Sequence, residues 1–102
     1  MDILNRENVM DATDGDLSME AMLYQSFLKT SATYMQEITT TDEAETKARA
    51  LHSLKGLSLN MGAEALGDLC RRAETAPVDL ATLQNIYQQT CNQMQEIIKT
   101  AE

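Results

Sequence analysis

The chain holds one histidine, His52, in the run Ala48-Arg49-Ala50-Leu51-His52-Ser53-Leu54-Lys55-Gly56-Leu57-Ser58-Leu59-Asn60-Met61-Gly62. An imidazole attacks a phosphoryl group through a ring nitrogen when that nitrogen is neutral and reachable. On a helical wheel Ala50, Leu54, Ser58 and Met61 share one side, and His52 falls well away from them. One turn before and after it stand Ala48 and Gly56, two of the smallest side chains, which leave room for a partner backbone. Glycine inside a helix costs about 1 kcal/mol relative to alanine, so Gly56 points to a compensating reason. Lys55, three residues on, is within reach of the oxygens of a phosphoryl group on the ring. Arg49 lies at the rim of the same face, and Leu59, two turns on, offers an apolar docking anchor. Against this, a lone histidine on a helix surface usually has no role, and Lys55 then reads as a solvated charge.

Other chemistry finds little support. There is no Ser/His/Asp grouping, no Gly-rich phosphate loop and no ATP-binding segment, so an enzyme has nothing to catalyse with. One histidine without a carboxylate pattern does not make a metal site. Haem ligation by His and Met is disfavoured because no CxxCH run occurs and His52 faces outward. Cys70 and Cys91 stand apart, with no CxxC spacing, and read as small buried hydrophobes in a reducing cytoplasm. A disulfide between them stays open, though nothing in the sequence calls for one.

The elements that must position His52 are helical. A short segment over about 5–13 starts at Asn5 as N-cap, and Thr13-Asp14-Gly15-Asp16 breaks it. Asp16 caps the next helix, 17 to about 39, whose inward stripe is Leu17, Ala21, Tyr24, Phe27, Leu28, Ser31, Met35 and Ile38. The run Thr39-Thr40-Thr41-Asp42 ends it, and Thr41 or Asp42 caps a third helix, 42–61, closed by Gly62 at C′. Its stripe is Ala44, Ala50, Leu51, Leu54, Leu57, Ser58 and Met61. A fourth helix, about 64–75, buries Leu66, Leu69, Cys70 and Ala73, with Gly67 admitting a close neighbour. Pro77 stops the chain, and Asp79 caps the last helix, about 80–101. Its stripe is Leu83, Ile86, Tyr87, Thr90, Cys91, Met94, Ile97, Ile98 and Ala101. Short connections predict an all-α, antiparallel up-down four-helix bundle, with the additional N-terminal helix lying across one end as a lid. The seven methionines are expected to fill core gaps.

Composition agrees. The 102 residues suit one domain, 1–102, since domains most often run to about 100–150 residues. Only 4% are aromatic and five are Pro or Gly, which disfavours a turn-rich sheet protein. The net charge of −8 makes nucleic acid and anionic lipid poor partners. Residues 46–75 nevertheless carry five basic groups (Lys47, Arg49, Lys55, Arg71, Arg72) against Glu64, Asp68 and Glu74. That basic island reads either as a solvated mixed face or as a site for an acidic partner. No run approaches the roughly 18 apolar residues of a membrane span, and the opening residues lack the pattern of a secretory signal. A cytoplasmic monomer is expected, and the length and the opening Met favour a free-standing protein.

The stretch Leu51-His52-Ser53-Leu54-Lys55-Gly56, then Asn60-Met61-Gly62-Ala63, then Leu66, Leu69-Cys70 and Glu74, resembles the histidine-containing phosphotransfer (HPt) domain. The matching positions span about 24 residues in the order H-x-L-K-G, L/M-G-A and L-x-x-L-C…E. The resemblance implies a four-helix bundle whose His52 takes a phosphoryl group from a receiver-domain aspartate and gives it to another. It maps the family's lysine to Lys55 and its glycine to Gly56. It further implies receivers and a hybrid sensor histidine kinase as partners, with Mg²⁺ held by the receiver and no cofactor of this chain's own. Ala48, Arg49, Gly56 and Leu59 would form the docking patch. Some members place a polar side chain near the imidazole from the following helix, for which Asp68, Arg71, Arg72 and Thr75 are the candidates here. Leu57 and Leu59 are larger than the small residues common after K-G, making the docking face more apolar. A kinase dimerisation helix usually has an acidic residue just after its histidine and a proline soon after. Here Ser53 follows and the only proline is Pro77. The runner-up is a helical adaptor, or a degenerate HPt that binds without transfer.

Overall fold

The computed structural model describes residues 1–101. Five helices follow in order: α1 (Glu7–Ala12), α2 (Leu17–Thr40), α3 (Ala44–Asn60), α4 (Glu64–Ala73) and α5 (Leu80–Ala101). No strand occurs among the described residues. The long helices pack in a ring, α2 on α3, α3 on α4, α4 on α5 and α5 back on α2. At 10 residues α4 is the shortest of the four, so the bundle extends beyond it, as its sequence pattern predicts.

The predicted caps largely hold. Asp16 accepts from the amides of Ser18 and Met19 at 2.9 and 3.1 Å, and Asp79 accepts from Ala81 N–H at 3.3 Å. Asn5 accepts from Glu7 N–H at 3.0 Å, one residue ahead of the position where α1 is capped. The start of α3 differs from expectation. Neither Thr41 nor Asp42 caps it; Glu43 occupies the N-cap, and Thr41 Oγ1 accepts from the Glu43 amide instead. α3 starts at Ala44 rather than at 42, after three connecting residues, and Ala44 lies exposed on its first turn, out of the core.

The core is a contiguous cluster with Tyr24, Phe27, Ile38, Leu54, Leu66, Leu83 and Met94 fully buried at its centre. Leu17 is the exception on the α2 stripe; it is 49% exposed because it sits on the first turn, beyond the packed part of the bundle. The methionines also depart from expectation. Met35 and Met94 fill the core, but Met1, Met10, Met19 and Met22 are exposed. On α2 the inward positions run Glu20, Tyr24, Phe27 and Ser31, and Met19 and Met22 fall between those steps, on the outer side.

The opening segment does cross one end of the bundle. Asn5 N–H donates to Gly62 carbonyl at 2.8 Å, and Ala65 N–H donates to Asp2 carbonyl at 3.0 Å. Glu64 accepts from Asp2 N–H and Asn5 Nδ2, both at 3.2 Å. Gly62 has φ +79°, and a Cβ there would collide with the Asn5 carbonyl oxygen, so both conformation and space demand glycine. Val9 buries its side chain beneath α1.

Glu20, which periodicity does not mark as special, anchors this strap. It is 1% exposed, takes two 2.7 Å bonds from the Arg6 guanidinium, and accepts from Tyr24 hydroxyl at 3.0 Å. The Arg6 hydrogen bond outweighs desolvation and holds the Glu20 carboxyl below the usual carboxylate range. Burial first, then the Glu20 carboxylate, pushes the Tyr24 phenol above its ordinary value. A carboxylate lowered in the folded state stabilises fully above its unfolded pKa, and that stabilisation is lost as pH falls through the folded value. Glu20→Gln should therefore lose about 2 kcal/mol at neutral pH, less than a wholly buried pair because Arg6 is 39% exposed. Chemical denaturation at pH 7 and pH 3 checks this: the gap between wild type and variant should narrow in acid.

Candidate functional site

His52 stands in the middle of α3 with 72% of its side chain exposed. The helix underneath is rigid because Ala50, Leu51, Leu54 and Ser58 are buried on its opposite side. The imidazole is not free to spin. Its Nδ1 lies 3.1 Å from Glu74 Oε1, at the end of α4. Lys55 Nζ lies 3.1 Å from the same Oε1 and 3.2 Å from Oε2. One carboxylate thus binds both functional candidates of α3.

A carboxylate only accepts hydrogen bonds, so the ring donates Nδ1–H to Glu74; in the neutral form of a ring held this way the lone pair is on Nε2. The Lys55 hydrogen bond, followed by that of His52, lowers the Glu74 carboxyl below its ordinary value and keeps it ionised. Beneath them, burial and then the Glu74 charge push the Cys70 thiol up to about 12, so it remains neutral. Cys70 and Cys91 are both buried free thiols, as their place on apolar stripes suggests.

Glu74 is the residue that sequence reasoning did not choose. It stood in the motif, but Asp68, Arg71, Arg72 and Thr75 were the candidates for the ring's neighbour. Asp68 instead pairs with Arg71 and Arg72 on its own helix, and Thr75 Oγ1 donates to the Arg72 carbonyl. The missing signal was the turn. His52 and Glu74 are each eleven residues from Ala63, and Leu59 and Gly67 are each four from it. The Leu59 side chain does cover Gly67, where an added Cβ would lie 2.8 Å from Leu59 Cγ. Counting outward from the turn therefore finds both contacts.

The remaining candidates surround His52 in different ways. Gly56 faces open space, with nothing within 4 Å of an added Cβ. Ala48 is exposed and shares with Glu74 a groove of about 390 Å³ that also takes in Lys47, Leu51, Val78 and Leu80. Leu59 is 46% exposed, on the far side of Gly56. Arg49 is exposed but opens towards α2, beside Tyr34 and Glu37, rather than towards Glu74. The basic island is mostly neutralised within the chain: Lys55, Arg71 and Arg72 are paired, and Lys47 and Arg49 make no ion pair among the described residues. No cluster of three metal-ligating side chains occurs among the described residues.

The chain is thus a set of packed helices that presents one exposed imidazole, held at Nδ1 by a carboxylate. Residues 22–102 match the family model of the Hpt domain, and the chain belongs to that family. Its place is accordingly in phosphotransfer within two-component signalling, where Hpt domains interact with receiver domains. The α1 strap and the first turn of α2 precede the matched region. Comparisons with curated proteins and with solved structures give no match. No helix is long and apolar enough to cross a membrane among the described residues.

Gly56→Ala separates folding from docking. With open space at that position, alanine should raise stability by up to about 1 kcal/mol, read as a higher thermal midpoint. If the open face at Gly56 receives a partner, the methyl group should at the same time slow phosphotransfer with a receiver. A lower midpoint would show that the helix already lacks room there.

Proposed function

We propose that His52 is the phosphoacceptor of a multistep phosphorelay, charged by a receiver aspartate and discharged to a second receiver. The observation that supports this best is the exposed imidazole whose Nδ1 is occupied by Glu74, leaving Nε2 outward and nucleophilic. The Nε2 lone pair forms the N–P bond as the acyl phosphate P–O bond breaks, and the receiver carboxylate departs with that electron pair. Discharge runs the same step in reverse.

Lys55 offsets charge on the transferred group. Ala48, Gly56 and Leu59 form the apolar centre of the docking face, with Arg49 at its rim. Docking then depends on shape and apolar contact more than on a broad basic field, because most of the island is already paired. The receiver supplies the aspartate and the Mg²⁺, and a hybrid sensor histidine kinase starts the relay. This chain acts as a cytoplasmic monomer that carries the group without autokinase activity. The ring of packed helices and connections of three, three and six residues support an antiparallel up-down bundle as its frame.

The test is labelling. ATP alone should leave the protein unlabelled, and a phosphorylated receiver should label it with alkali-stable, acid-labile phosphate. His52→Gln should keep the wild-type melting curve and take no label. Label persisting on that variant would place the acceptor elsewhere, and binding of a receiver without any labelling of wild type would favour an adaptor.

A further inference from the structure

We propose that the groove between α3 and the 74–79 connection selects the receiver partner. It seats an apolar side chain of the partner, and Lys47 at its edge pairs with a carboxylate beside that side chain. The inference rests on His52 being the acceptor and adds which partners are admitted to it.

The groove is a recess of about 390 Å³. Leu51 and Leu83, both buried, line its floor, and Ala48, Val78 and Leu80 line its more open sides. Small-molecule sites run from about 300 to 1,000 Å³, so a recess at the low end of that range suits a single protruding side chain. Two charged groups line it, Lys47 and Glu74. Both Glu74 oxygens are taken, by His52 and Lys55. Lys47 is half-buried and makes no ion pair among the described residues. The acids next along the chain are engaged elsewhere. Glu43 accepts from Thr46 Oγ1 at 3.5 Å, and Asp79 accepts from Ala81 N–H and Thr82 Oγ1, both at 3.3 Å. A free ammonium at the edge of an apolar recess selects a carboxylate that adjoins an apolar group.

Position supplies the occupant. Ala48 stands one turn before His52, so the groove opens beside the ring. A protein that docks through about 800 Å² of its surface and brings an aspartate to that ring covers the groove as well. Lys47 and Arg49 are the unpaired cations of the basic island, and their settings differ. Arg49 lines a polar cleft with Tyr34, Thr46, Ser53 and an acid, Glu37. Lys47 joins a free positive charge to an apolar recess, which gives the docked partner one orientation: its acidic, apolar segment lies towards the 74–79 connection. A second copy of this chain is a poor occupant, because two molecules of net charge −8 repel each other.

Initial rates of labelling by a receiver charged with acetyl phosphate, taken over a range of receiver concentrations, test the proposal on the full chain. Lys47→Glu should raise the KM for the receiver about five-fold, with kcat little changed and the melting curve unaltered. Lys47→Met keeps the apolar stem and should raise KM only about two-fold. Lys99→Glu makes the same change in net charge on the exposed end of α5 and should leave both constants alone. In a second measurement, unphosphorylated receiver added to nitrogen-labelled protein should shift the amide signals of Lys47, Leu51, Val78 and Leu80. A wild-type KM in Lys47→Glu, an equal rise in Lys99→Glu, or unmoved signals at all four positions would overturn the role of the groove. So would shifts there that follow the concentration of this protein alone, which assign the groove to a second copy. Each of those results leaves His52 as acceptor. Absence of label on wild type with the receiver-driven shifts intact would overturn the acceptor reading and keep the groove as a docking site.

Discussion

The geometry of this protein depends on the reversal of the chain at Met61-Gly62-Ala63. Gly62 adopts φ +79° with the Asn5 carbonyl packed where a side chain would begin. That single conformation sets the register of α3 on α4. Every contact that defines the site follows from it, because residues equally far from the turn are brought side by side. Leu59 covers Gly67 near the turn, and His52 meets Glu74 two turns further out. A slip of one residue would rotate Glu74 by about 100° around its helix, given 3.6 residues per turn, and strip the imidazole of its partner.

The opening segment secures that turn from outside. It pairs its backbone with Gly62 and Ala65, and Glu64 at the start of α4 clasps it in return. Its far end is tied to α2 through Arg6, Glu20 and Tyr24. A carboxylate this deeply buried is tolerated only because every strong interaction it needs is supplied at once. The strap thus couples the α3–α4 turn to the start of α2, at one end of the bundle.

Much of this was legible in the sequence, and the failures have particular causes. Periods of three and four found the helices and most of the core, because burial of a stripe is a local property of a helix. The same reasoning failed at Leu17 and Ala44, which have inward phase but lie on first turns that the bundle does not cover. It placed the methionines inside, whereas Met19 and Met22 occupy the outer face of α2. It gave no warning that Glu20 is buried, since the partner that makes burial possible lies fourteen residues away. The motif located His52, Lys55 and Gly56, but ring partnership is a relation between helices. Only the turn register converts Glu74 from a letter in a motif into the group that holds the imidazole.

The energetic separation between frame and site explains how both requirements coexist. Ion pairs open to solvent add little to stability, since screening and the entropy of long side chains offset the attraction. The His52–Glu74–Lys55 cluster therefore has its value in geometry: it restricts a ring rather than holding up the fold. Stability resides below, where Leu51, Leu54, Leu69 and Cys70 are buried between the same two helices. The exposed cluster can then exchange partners without loosening the bundle. Nothing in the core depends on where the Lys55 ammonium points. The arrangement separates a scaffold indifferent to the charge on its surface from a ring held by that surface.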